Sequence, residues 1–119
     1  MVGGRPSGAS QSGAPAALAR RDQIAAVLRV LAPRLPDYEA GVVVDRAMDS
    51  RGLHRAHPGE AAWLALVAYV RHVLTDYDEL LADGYDPESA RFFVLDSMNE
   101  ALAAWGVRRK VVEDGTSTP

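Results

Sequence analysis

The sequence contains no cysteine, which excludes disulfides, thiolate metal sites and a cysteine nucleophile together. Packing alone must hold the fold. Basic charge is also short, with 13 Lys and Arg against 16 Asp and Glu and a formal net charge of -3. Domains whose main work is neutralising phosphates carry a net basic surface, so this balance argues against that work while leaving a local basic face open. Twelve of the thirteen basic residues are Arg, a bias that fits GC-rich bacterial coding and carries no functional weight.

Long apolar runs are missing as well. The longest, Ala61 to Val70, has ten residues, about half of what a bilayer-spanning helix needs, so it reads as a core segment and no membrane span is expected. There is no repeat and no strand signal long enough to assign. The first sixteen residues lack the apolar centre of a secretory signal; their Arg5, serines and lack of acids are the only features shared with a transit peptide. Rich in Gly, Pro and Ser, residues 1–16 read as a disordered tail, and a cytoplasmic location is the default expectation.

What is present is ordinary globular composition, 48% hydrophobic and 24% charged over 119 residues, enough for one core and one domain. The patterning predicts an all-α fold. It is a small bundle of about four helices with a long central third helix, a C-terminal αα-hairpin and disordered termini. The domain occupies 17–106, and 107–119 is a flexible tail.

The first helix runs from about Ala17 to Ala32 on the spacing of Leu18, Ile24, Val27, Leu28 and Leu31, and Pro33 and Pro36 end it. Asp37 then caps a second helix to Asp49, with Val42, Val43 and Ala47 inward, and Gly52 stops it. A loop carrying His54 and His57 follows. From Glu60 to Asp83 one stripe of Trp63, Leu66, Val67, Val70, Val73, Leu74, Tyr77, Leu80 and Leu81 keeps helical spacing, which predicts one helix of about six to seven turns. Ala61, Ala65 and Ala68 lie opposite that stripe, so the first half is expected to be buried all round. Gly84 stops this helix, and Asp86 with Pro87 starts the fourth, which runs to about Trp105 and is expected to bury Ala90, Phe93, Val94, Met98, Ala101, Leu102 and Trp105.

The segment from Ala68 to Leu81 contains Arg71, His72, Thr75, Tyr77, Asp78, Leu80 and Leu81 in the pattern Arg-His-x-x-Thr-x-Tyr-Asp-x-Leu-Leu, followed by Gly84, Asp86, Ala90 and Arg91. It resembles the bacterial family known as domain of unknown function 2293. The resemblance covers about Ile24 to Gly106 and is strongest from Trp63 to Trp105. It implies a small helical bacterial domain and transfers no activity, substrate or catalytic residue.

Four residues within that pattern are the candidate binding positions. Arg71, Thr75 and Asp78 share a flank of the third helix. They form either a structural ladder, with Arg71 reaching Asp78 and Thr75 bonding a carbonyl behind it, or an edge for an anion or peptide that uses the planar fork of Arg. His72 lies on the face opposite the core stripe with Asp76 and Glu79, a spacing that suits a divalent ion but lacks a fourth ligand and equally describes a solvated face. No metal or other cofactor is assigned. His54 and His57 have no nucleophile in an activating context, and no catalytic residue is assigned.

From Asp76 to Glu100 eight acids stand against one base, Arg91, which makes the hairpin of the third and fourth helices either a counterpart of the basic first helix or an acidic docking surface for a protein partner. The foremost functional reading is a non-catalytic interaction or regulatory module. The alternatives are a nucleic-acid-binding module, if Arg20, Arg21, Arg29, Arg34, Arg51, Arg55 and the run Arg108 to Lys110 converge on one face, and a small metal-dependent enzyme, if a polar pocket gathers Arg71, His72 or a loop histidine.

Overall fold

The computed structural model describes residues 13–112 and 117–118. Of the tail expected over 1–16, residues 1–12 lie outside the described residues and 13–16 form the first turn of a helix instead; most of the stretch after Val112 also lies outside them. Within them the chain forms five α-helices, in the order α1 (Gly13–Leu31), α2 (Asp37–Asp49), α3 (Pro58–Leu74), α4 (Tyr77–Ala82) and α5 (Pro87–Ala104). Two short strands, β1 (Lys110–Val111) and β2 (Ser117–Thr118), pair antiparallel after them.

Helix α3 is the centre. Its Ala61, Ala62, Trp63, Ala65, Leu66, Val67, Tyr69 and Val70 are all buried, and it packs against α1, α2 and α5. A helix apolar on every side needs neighbours on every side, and alanines on its second face let them approach closely. From α1 come Ile24 and Leu28, followed at the same step of four by Ala32 just past its end, and from α2 come Val43, Val44 and Ala47. Val42 is only half-buried. Asp37 is not the cap expected of it: Pro36 occupies that position without a side-chain bond, and the Asp37 carboxylate accepts from Arg29 at 2.9 Å.

The expected long helix is broken. Helix α3 ends at Leu74, Thr75 is extended (φ -132°, ψ 172°), and α4 begins at Tyr77. Thr75 supplies the reason, because its hydroxyl donates to the Arg71 carbonyl four residues back and accepts from the Tyr77 N–H at 3.2 Å. A β-branched hydroxyl residue offers the backbone an alternative partner and thereby competes with helix continuation. The break turns Tyr77 into the core at 8% exposure and leaves Val73 and Leu74, expected on the inward stripe, nearly half exposed.

Gly84, at φ +101°, closes α4 with Gly84 N–H to Leu81 O and Tyr85 N–H to Leu80 O, both 3.0 Å, the paired bonds of a Schellman stop. Asp86 then caps α5 by accepting from Ser89 N–H at 2.8 Å, with Pro87 in the first turn. The stripe that α5 buries is Ala90, Val94, Met98 and Leu102, in strict steps of four. Phe93 sits about 100° round from it and is 59% exposed, contrary to the expectation that it belongs to the core. Trp105 is half-buried against the core rather than enclosed by it.

The chain after α5 is not loose where it first leaves the helix. Gly106 (φ +86°) repeats the same stop, and a Cβ there would come within 2.9 Å of Pro33 Cγ, so only glycine lets the α1–α2 turn approach this end of α5. Val107 and Val111 are buried. The side-chain amide of Asn99 donates to Val111 O at 3.0 Å and accepts from Val111 N–H at 2.9 Å, which corrects the expectation of a flexible tail from residue 107.

Candidate functional site

The residues singled out by the sequence gather at the α3–α4 break, in a different arrangement from the one expected. Asp78 does not pair with Arg71; it meets His72, Oδ1 to Nδ1 at 2.8 Å. The break redirects α4, and with it Asp78, towards the other side of α3. Both partners are substantially exposed, so the pair contributes little to stability. Thr75 does bond the carbonyl behind it.

Arg71 is left with an aromatic partner. Its guanidinium carbon lies 5.6 Å from the Tyr77 ring centre, and the edge of that ring system also meets His72 at 5.5 Å. The Nε of Arg71 is buried with no hydrogen-bond acceptor. Burial lowers the pKa of Arg71 from its ordinary value; Tyr77 opposes the shift and the like charge of Arg91 adds to it. Among the described residues no group of three or more His, Asp or Glu side chains converges as a metal centre, so His72, Asp76 and Glu79 are not brought together.

The arginines converge only in part: Arg34, Arg108 and Arg109 line one cleft of about 720 Å³ at the end of α5. Arg20 donates to Ala56 O and Leu53 O at 2.8 and 2.7 Å, pinning the loop between α2 and α3 to α1. Arg21 pairs with Asp45 and Arg29 with Asp37, so both ion pairs tie α1 to α2 along a cleft of about 310 Å³ between those helices. Arg34 donates to Ala104 O and Ala103 O at 3.0 and 3.1 Å, where the carbonyls at the end of α5 attract a cation. Arg46 lies over the Tyr69 ring and Arg109 over the Trp63 ring, at 5.6 and 4.2 Å. His54 is exposed with its Nδ1 2.7 Å from Arg51 O, and His57 is exposed at the start of α3.

The acids behave differently. All eight between Asp76 and Glu100 are exposed, and among the described residues their side-chain bonds are those of Asp78 to His72 and Asp86 to Ser89. Beside them is a feature the sequence reading missed. Tyr85, Phe92 and Phe93 are 45%, 56% and 59% exposed, yet they touch one another edge to face. The Tyr85–Phe93 and Phe92–Phe93 ring centres are 5.5 and 5.9 Å apart. Phe93 and Tyr85 line a cleft of about 350 Å³ whose other walls include Leu74, Asp76, Leu80 and Ser97. The signal was available in the Phe92-Phe93 doublet, because consecutive helical residues point about 100° apart and one stripe cannot bury both.

No helix among the described residues is long and apolar enough to cross a membrane. No curated protein and no solved structure matches the chain. Residues 27–106, most of the helical region, match the family described as Uncharacterized conserved protein (DUF2293), and the chain belongs to that family.

Proposed function

We propose that this chain is a non-catalytic interaction module that receives a cationic partner protein on the acidic face formed by α4 and α5. The observation that carries the reading is an asymmetry in how charge is used. The arginines of α1 and of the turn after it bond to carbonyls and carboxylates of this same chain, mostly at its surface, whereas the hairpin acids face solvent and, among the described residues, are mostly unpaired. Such a surface attracts cationic partners and repels polyanions. The nucleic-acid reading needed all of the named arginines on one face, whereas Arg34, Arg108 and Arg109 share a cleft and Arg20, Arg21 and Arg29 bond to groups of the fold elsewhere.

The test is affinity capture from the native cell with two baits, the natural chain and a variant carrying Glu79→Gln, Asp83→Asn, Glu88→Gln, Asp96→Asn and Glu100→Gln. A protein recovered by the first and lost by the second, with unchanged melting of the variant, supports the reading. Equal recovery by both baits, or recovery of nucleic acid, overturns it.

A further inference from the structure

The cleft at the α3–α4 break has both of the components that a peptide-binding groove needs. One wall is apolar: Tyr85 and Phe93 in edge contact, extended by Phe92, with Leu74 and Leu80 lining the same cleft. Large aromatics at about half exposure and in mutual contact form a patch rather than scattered surface apolar residues, and such patches mark binding sites. The other component is charge, since Asp76 lines the cleft and Asp96 and Glu100 follow Phe93 at three and seven residues, on its side of α5.

Building on the interaction reading above, we infer that this cleft takes the apolar stripe of a short cationic amphipathic helix from a partner protein. The aliphatic anchors of that helix sit against Tyr85, Phe92 and Phe93, and its flanking arginines or lysines meet Asp76, Asp96 and Glu100.

Charge selects among the possible occupants. A second copy docking through the same face would set its own eight acids and single base against an identical set, and isologous contact repeats every such repulsion twice. Anionic lipid and nucleic acid meet the same repulsion. The chain's own residues 1–12 offer one arginine and no helical aliphatic stripe. A cationic protein segment gains on both counts, with its cations over aromatic faces and beside carboxylates and its aliphatic groups out of water.

Shape selects the helix. The cleft lies between helical elements and has no strand edge to extend, so strand addition is unsupported. The α5 residues that line it, from Phe93 to Ser97, rise about 6 Å at 1.5 Å per residue, and Phe92 extends the aromatic wall, so the cleft seats about one turn of a docked helix with anchors at i and i+4.

The test is selection of displayed random 16-residue peptides on the full chain, followed by affinity measurement on the natural protein and on Phe93→Ser, Phe92→Ser and the Asp96→Asn/Glu100→Gln double variant. The mutated side chains are all exposed, so folded variants are expected, and melting curves verify it. The inference predicts enriched peptides with net positive charge and aliphatic residues at helical spacing, helical by circular dichroism when bound, and weakened roughly tenfold or more by Phe93→Ser. Cationic peptides that bind natural protein and Phe93→Ser alike would leave the acidic face standing as a partner surface and overturn the groove. Proline-rich or extended consensus sequences would overturn the helix, and acidic peptides or no enrichment would overturn the inference as a whole.

Discussion

Tyr85 and Phe93 meet edge to face at 5.5 Å with their planes 86° apart, and each still leaves close to half or more of its surface in water. A pair in contact but not enclosed adds little to folding, because about half of each ring's surface stays in water. Phe93→Ser should therefore change unfolding free energy by about 1 kcal/mol or less, near the range of ordinary surface substitutions. Trp63→Ala, at a buried site on α3, should cost about 3 to 5 kcal/mol. Urea denaturation of the two variants measures the contrast, and similar losses in both would place Phe93 in the core after all.

Arg71 carries a charge that the fold neither pairs with a carboxylate nor fully hydrates. Replacing such a charge with an apolar chain of similar length recovers desolvation cost while losing a cation–π contact worth about 0.5 to 2 kcal/mol. Arg71→Met should therefore melt within about 1 kcal/mol of the natural protein or above it, and Asp78→Asn should be equally mild because its pair with His72 is exposed. A loss of several kcal/mol in either variant would reveal a buried ionic contact at the break.

Thr75 holds the break with two hydrogen bonds from one hydroxyl. Thr75→Val keeps the shape and removes both, so it should cost about 1 to 3 kcal/mol. It should also shift backbone resonances of residues 74–77 towards helical values as α3 lengthens. Unchanged chemical shifts there would mean that the hydroxyl does not direct the break.

Several helix boundaries were legible because they are written in local chemistry: Gly84 at one stop, Asp86 with Pro87 at the next start, Gly106 at the last stop, whereas Pro58, read as part of the preceding loop, in fact opens α3. The Thr75 break was not, because the apolar spacing runs on unbroken from Val70 through Val73, Leu74 and Tyr77 while a single hydroxyl decides otherwise. The inward placing of Phe93 failed for a related reason. A stripe in strict steps of four from Ala90 to Leu102 fills the interface with α3, and the shortened α3 leaves no wall for a second stripe. Val107 and Val111 were invisible because two valines four apart after a glycine stop carry no period, and the bonds that tie the Val111 backbone come from Asn99, far off in α5. At the candidate site the sequence located the right turn of chain but exchanged the partners, since Arg71, His72 and Asp78 were placed on one continuous helix that the structure divides.

Asn99 supplies the same kind of test at the other end of α5. Asn99→Ala removes both bonds to Val111, so amide exchange at Val111 should accelerate while that of Leu66 and Val70 in α3 keeps pace with global unfolding. Equal exchange at Val111 in both proteins would show that burial of its side chain alone holds the segment.

Asp86 adds a pH dependence with a definite sign. Its two bonds from Ser89 depress its carboxyl below the ordinary 3.8. A depressed folded value stabilises the fold above the ordinary value, and that contribution disappears as pH falls through the lower folded value. The stability difference between the natural chain and Asp86→Ala should thus be constant from neutral pH down to about pH 5 and narrow below 3.8. A difference that grows on acidification would contradict the cap.

The acidic and aromatic face of α5 as a docking groove is tested most directly by amide mapping. A 14-residue peptide of leucine, alanine and arginine, with its leucines at helical spacing, is titrated into the isotopically labelled full chain at low salt. The account predicts shifts concentrated at residues 74–76, 85 and 92–97, fading as salt screens the carboxylates. Shifts concentrated in the α1–α2 cleft, or no saturable shifts at all, would contradict it.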